Sequence, residues 1–298
     1  MRIIGVGGAS LFVAGGLVLG GLAAPASAGA APASAGAAPA ITNLYRLPAT
    51  RPVRTGTRST WQSSNWSGYA ETGSFTATSG NWTVPTAKAG AASGDATGWF
   101  SSAWIGIDGF NNRHLIQTGT EQDYANGTAS YSAWWEILPA AETTILDTVY
   151  PGDSMSASIV QTTVIVSKPK AKKTRVTTKW WKITLTDNTR GWTFTTTQVY
   201  HGPGDSSEFI VEAPLVGRSV STISNYTFPS SAAGYGDFNS ADVATTIGGT
   251  PVGAGLNSND AGILVQNGAQ VSTPGLPDAA AKAFNSSYGA VAPAAPTH

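Results

Sequence analysis

From Trp61 onward the chain runs in short stretches rich in Val, Ile, Thr, Trp and Tyr, each closed by a cluster of Gly, Pro, Asn or Asp. That pattern predicts strands over 67–72, 80–84, 101–107, 114–119, 130–138 and 154–165. It predicts further strands over 179–186, 192–199, 208–212, 224–228, 263–266 and 270–272. No segment has a convincing helical period, and only the Ala-rich 278–284 stretch predicts a short terminal helix. About a dozen strands between turns, with no repeat at a propeller or solenoid period, predict an all-β sandwich of two sheets.

The first sixty residues read differently. Arg2 followed by an uncharged apolar run to Ala24, then Ala26-Ser27-Ala28, has the form of a signal peptide over 1–28, cut after Ala28. The run approaches membrane-spanning length, but its glycines weaken an anchor and the cleavage signal follows at once. The protein is therefore expected to be secreted, extracellular and free of stable membrane association after cleavage. Residues 29–60 begin as Ala/Pro/Gly/Ser low complexity and continue with Arg46, Arg51, Arg54 and Arg58 and no acid. All seventeen acidic residues lie beyond residue 60, where twelve basic residues leave a net charge of −5. A basic leader before an acidic domain over 61–298 is either an inhibitory propeptide held on the domain by charge or a disordered linker.

Composition narrows the chemistry. There are no cysteines and three histidines, one of them the last residue, His298. No His-Glu-x-x-His, Gly-x-Ser-x-Gly or Walker-type loop occurs, so no metal or cofactor is expected and a serine triad lacks a motif. Seven basic residues between Lys168 and Lys182 are read as a solvated hairpin loop in preference to a nucleic-acid patch, so no nucleic-acid partner is expected. The asparagines of five sequons, Asn65, Asn81, Asn126, Asn225 and Asn285, matter only in a host that glycosylates secreted proteins.

Two stretches place a polar side chain at the edge of an apolar run: Ile116-Gln117-Thr118-Gly119 and Glu208-Phe209-Ile210-Val211-Glu212. By alternation alone Gln117 fits a polar residue on the solvent side of a strand. Glu136, set between Trp135 and Ile137, competes with Glu212 as the working acid, as do Asp108 and Glu208. These stretches take their place in an ordered set. Ser64-Asn65-Trp66-Ser67-Gly68-Tyr69 comes first, then Trp104-Ile105-Gly106-Ile107-Asp108-Gly109, His114-Leu115-Ile116-Gln117-Thr118-Gly119 and Tyr131-Ser132-Ala133-Trp134-Trp135-Glu136. Pro151-Gly152-Asp153 and the Glu208–Glu212 stretch complete it.

In order and rough spacing over about residues 62–275, this set resembles the glutamic peptidases, or eqolisins. The resemblance implies a concanavalin A-like β-sandwich of two curved antiparallel sheets whose concave face binds a peptide. It implies Gln117 and Glu212 as the catalytic pair, with Trp66, Trp104, Asp108, Trp134 and Glu136 lining or supporting the cleft. It also implies export with a propeptide and activity at acidic pH, and a monomeric chain acting on polypeptide substrates is expected. The residue types suit amide hydrolysis. A glutamate can serve as base and then acid, while a glutamine offers an N–H to an oxyanion and a carbonyl to a water.

The chain departs from the fungal pattern in places. Ala213-Pro214 follow Glu212 where an acid and an aromatic are usual, Ser132 stands at an acidic position, and Phe209 replaces a tryptophan. These changes bear on subsite preference and pH range more than on the reaction. A Trp-rich sandwich also suits a carbohydrate-binding, lectin-like module, which would not require the Gln117/Glu212 pair. A glycosidase using Glu136 with Glu212 as its two carboxylates is a third alternative.

Overall fold

The computed structural model describes residues 44–45, 47–49, 53–54, 61–94, 98–167, 175–229, 235–242 and 255–297. In chain order the strands are β1 (Leu44–Tyr45), β2 (Val53–Arg54), β3 (Trp61–Ser63), β4 (Trp66–Thr72), β5 (Phe75–Thr83), β6 (Thr86–Lys88) and β7 (Trp99–Ile107). Next come β8 (Ile116–Ala125), β9 (Thr128–Ile137), β10 (Thr143–Ile145), β11 (Ser154–Ser167), β12 (Val176–Asp187), β13 (Trp192–Val199) and β14 (Ser206–Glu212). The last are β15 (Leu215–Val216), β16 (Ser219–Val220), β17 (Asn225–Thr227), β18 (Tyr235–Asp242), β19 (Ala261–Gln266), β20 (Ala269–Pro274) and β21 (Ser286–Tyr288).

Two sheets carry the architecture. The larger has the order β10-β9-β8-β7-β14-β4-β19-β20-β21, with β3 and β2 attached beside β19; the smaller has the order β13-β12-β11-β5-β18. The chain is thus an all-β sandwich, as its pattern of strands and turns predicts. Between the sheets lies an apolar core in which Ile105, Ile107, Phe209 and Val211 of the larger sheet meet Trp82, Ile159, Trp181 and Ile183 of the smaller. β11 alternates buried and accessible positions, because only one of its faces is covered. β7, β8 and β14 are buried at nearly every position instead. A second apolar cluster, built on Trp61, Trp66, Trp104, Phe110, Leu115 and Trp134, covers the outer face of the larger sheet.

Local turn chemistry sets the register that matters most. β8 and β9 join through Asn126-Gly127, where φ is +52° and +77°, the doubly left-handed conformation that matches strand twist in a two-residue hairpin. Ala125 therefore faces Thr128, and counting back along both strands puts Gln117 opposite Glu136. A slip of one residue would turn either side chain to the other face.

Several predicted strands start or stop one to six residues from their observed ends, and short strands such as β3, β10 and β21 were not predicted. The 278–284 stretch is not a helix. Asp278 Oδ1 accepts from the backbone N–H of Lys282 and Ala283, at 2.7 and 3.0 Å, and Ala281 adopts φ +57°. The side chain thus closes a turn with bonds that would otherwise run along a helix. The signal peptide over 1–28 and the core of the basic loop, 168–174, lie outside the described residues, as does most of 29–60.

Candidate functional site

Three cross-strand rows on the outer face of the larger sheet build the site. The first runs Glu136, Gln117, Gly106, Glu208, Ala70 across β9, β8, β7, β14 and β4. Two positions along the strands the row is Trp134, Gly119, Trp104, Ile210, Gly68, and two further it is Ser132, Glu121, Ser102, Glu212, Trp66. Because opposed residues share a face and strands alternate with period two, Gln117, Glu136 and Glu212 all project to the same side.

Gln117 donates from Nε2 to Glu136 Oε2 at 2.7 Å. That bond fixes which end of the carboxamide is which, and Gln117 Oε1 is buried with no partner among the described residues. Glu212 Oε2 accepts from Trp104 Nε1 at 2.8 Å. The indole of Trp104 links the rows: its pyrrole N–H is at Glu212, while its Cζ3 lies 2.8 Å from where a β-carbon on Gly106, the neighbour of Gln117, would stand. Trp66 packs edge-on against it, ring centroids 4.8 Å apart. Gly119 makes room for this arrangement, since a β-carbon there would lie 2.4 Å from both Trp104 Cβ and the Ala103 carbonyl oxygen. The Gly of the Gln-Thr-Gly block is thus a packing requirement of the tryptophan.

The connection from β7 to β8 folds back over the face. Its pivot is Asp108, fully buried at φ +70°. Asp108 Oδ2 accepts from Tyr200 Oη at 2.6 Å, and Oδ1 accepts from Asp205 N at 2.9 Å and Asn112 Nδ2 at 3.0 Å. Gly204 N donates to both oxygens at 3.0 Å. So anchored, the connection lays Gly109 over Trp66 and Phe110 edge-on against Trp61. Asp108 therefore anchors the connection that covers this face. Burial, followed by the charge of Asp108, raises Asp205 from its ordinary value and lifts Tyr200 above the ordinary phenol range. Glu208, in the Gln117 row, is pushed well up, first by complete burial and also by the charges of Asp108, Asp205 and Glu71. The Ser206 side chain, two residues away on the same strand, works in the opposite direction and lowers it.

The leader reaches this face. β1 pairs with β15, which begins three residues past Glu212, and β2 pairs with β3, which leads into Trp66. Between them Ala49 packs against the tryptophan cluster and donates its N–H to Gly109 O at 3.1 Å. Asn65 Nδ2 donates to Leu47 O at 3.3 Å.

On one face of the larger sheet the structure places Gln117, Glu136, Glu212, Trp66, Trp104 and Trp134, every one of them fully buried. The three tryptophans belong to the outer cluster, whereas Trp82 and Trp181 pack between the sheets. Among the described residues no three His, Asp or Glu side chains converge to hold a metal ion. Sequence reasoning missed Glu121, which shares its row with Glu212. Its spacing of four from Gln117 along one strand was the available signal.

Comparison with known proteins gives a consistent picture. A family model described as the Peptidase A4 family matches residues 64–273. Aspergillopepsin-2 of Aspergillus niger is 32% identical over 124 residues, a match covering 36% of this chain and 44% of that relative, less than half its length. Scytalido-glutamic peptidase, solved with a peptide-based transition state analog, has a similar fold: TM-score 0.56, 21% identity, 76% of this chain and 98% of that one covered. SCP-B, described as an eqolisin and solved with the tripeptide Ala-Ile-His, is similar at TM-score 0.53 and 21% identity, with the same coverage.

Proposed function

The chain belongs to the peptidase A4 family, the glutamic peptidases or eqolisins, and from that premise we propose that it is a secreted, acid-active endopeptidase working through Gln117 and Glu212. The observation that carries this reading is the shared face. Gln117 and Glu212 project to the same side of one sheet, and Trp104, bonded to Glu212, reaches across to the row of Gln117.

In this mechanism Glu212 as carboxylate removes a proton from a water, whose oxygen bonds to the carbonyl carbon of the scissile peptide. The carbonyl oxygen becomes an oxyanion and takes a hydrogen bond from Gln117 Nε2. One hydrogen of that NH₂ is given to Glu136, so the other is aimed rather than free to wander. The unpartnered Gln117 Oε1 is available to hold the attacking water. As the C–N bond breaks, Glu212 passes the same proton to the departing amine and returns to its starting state. Glu136 touches the amide of Gln117 and positions it.

The leader enters the proposal as a propeptide. Its Leu47–Ala49 segment lies against the face a substrate would need, and its arginines oppose a domain of net charge −5. Removal of this segment would open the face to polypeptides such as those named with the structural relatives.

The test is digestion of a denatured protein by the acid-processed chain across pH 2–7. Cleavage that resists serine, thiol, metal and pepstatin-type inhibitors and disappears in Glu212→Gln supports the reading. Full activity in Glu212→Gln, or binding to polysaccharide with no proteolysis, overturns it.

A further inference from the structure

The Ser64-Asn65-Trp66 block contains a polar group that the mechanism above does not use. Asn65 is fully buried immediately before Trp66, and its carbonyl oxygen accepts from the N–H of Ala213, the residue after Glu212, at 2.8 Å. Its side chain is therefore tied by backbone to the strand end that carries Glu212. The orientation of the carboxamide is also set. Ser63 Oγ donates its single hydrogen to Asn65 Oδ1 at 2.7 Å, while accepting from the N–H of Asn65 at 3.2 Å and of Trp66 at 3.3 Å. With Oδ1 occupied, Nδ2 must point away from Ser63, and what it meets is main chain. Leu47 O lies at 3.3 Å and Pro48 O at 3.5 Å. On the other side of the same segment Gly109 O accepts the Ala49 N–H at 3.1 Å. Among the described contacts of Leu47–Ala49 are thus one donor and one acceptor that read main chain alone, with Ala49 packed on the cluster that includes Trp61, Trp66 and Phe110.

Groups that recognise only peptide carbonyls and N–H suit an extended polypeptide of any sequence. We propose that Asn65, aimed by Ser63, is a main-chain anchor for the polypeptide substrate, and that Leu47–Ala49 occupies this anchor in the full-length chain. The proposal rests on the peptidase reading and adds to it where the substrate backbone is held. Asn65 is a positioning residue and takes no part in bond breaking. A buried carbonyl left without its donor loses the equivalent of roughly a 5- to 50-fold change in binding.

Two measurements test this with Asn65→Leu, which keeps the bulk and deletes the donor. In the full-length chain, hydrogen exchange at the Ala49 amide should quicken by about 5- to 50-fold. After acid processing has removed the leader, KM for an unstructured peptide should rise by a similar factor while kcat stays within about threefold. Ser63→Ala, which releases the carboxamide to rotate, should move both readouts the same way by a smaller factor. It carries the test if Asn65→Leu fails to fold. Quickened exchange with unchanged KM overturns the proposal, leaving Asn65 as a contact of the leader alone, and so does no change in either. The exchange measurement needs no catalysis. A chain that hydrolyses nothing yet shows Asn65-dependent exchange therefore refutes the peptidase reading and leaves only the leader contact at Asn65 standing.

Discussion

Asp108→Asn isolates the support beneath the covering loop. The carboxylate is fully buried and takes hydrogen bonds from four donors: Tyr200 Oη, Gly204 N, Asp205 N and Asn112 Nδ2. An asparagine has nearly the same shape and tolerates φ +70°, so backbone strain is not introduced. In its better orientation the amide oxygen takes the place of Oδ1 and keeps Gly204, Asp205 and Asn112. Its NH₂ then faces the Tyr200 hydroxyl, which can turn to accept. What disappears is the negative charge, and a hydrogen bond to a charged group contributes about 1 kcal/mol more than a neutral one. Four donors give about 4 kcal/mol, and the smaller desolvation cost of the neutral amide brings the net loss to roughly 2–3 kcal/mol. Urea unfolding at fixed pH reads this directly, with an unchanged m-value showing that only stability moved. The loop holding Gly109 over Trp66 should become more susceptible to nicking in parallel. A loss below about 0.5 kcal/mol would refute the view that Asp108 holds the loop by charge.

Other outcomes follow from the same geometry. Gln117→Ala should lower kcat by about 10²–10³ with folding intact, and Gln117→Glu should do no better because it exchanges a donor for an acceptor; near-normal turnover in either removes Gln117 from the mechanism. Glu208 has a raised pKa, so the native state holds its proton more tightly than the unfolded chain does. Its contribution is complete below the ordinary glutamate range and is lost as pH rises through the raised value. Glu208→Gln should therefore flatten the fall in melting temperature from pH 4 to pH 7, and an unchanged pH dependence would exclude Glu208 as its source. Gly119→Ala forces a β-carbon to within 2.4 Å of Trp104 Cβ. It should cost about 1–3 kcal/mol in urea unfolding and reduce turnover by displacing the indole from Glu212; a variant as stable and active as the parent would show that the rows can yield.

Much of this protein was legible as one-dimensional pattern. Apolar runs rich in β-branched and aromatic residues mark most of the strands, because a strand's preference for such residues is a local property. The Asn126-Gly127 pair carries its own hairpin geometry, so the opposition of Gln117 and Glu136 is nearly a local fact too. The 278–284 stretch was misjudged because one aspartate side chain outcompeted the helical bonds that an alanine-rich segment favours. What only the tertiary structure decided is which carboxylates share a face with Gln117. β14 pairs with β7 across about a hundred residues of intervening chain. Whether Glu208 and Glu212 turn outward with Trp104 or inward with Ile105 depends on a register that no short stretch of chain specifies. The same long-range packing buries Asp108 and places the leader beside Asn65. Side-chain chemistry is written residue by residue, but the side of a sheet on which it acts is settled only when distant strands pair.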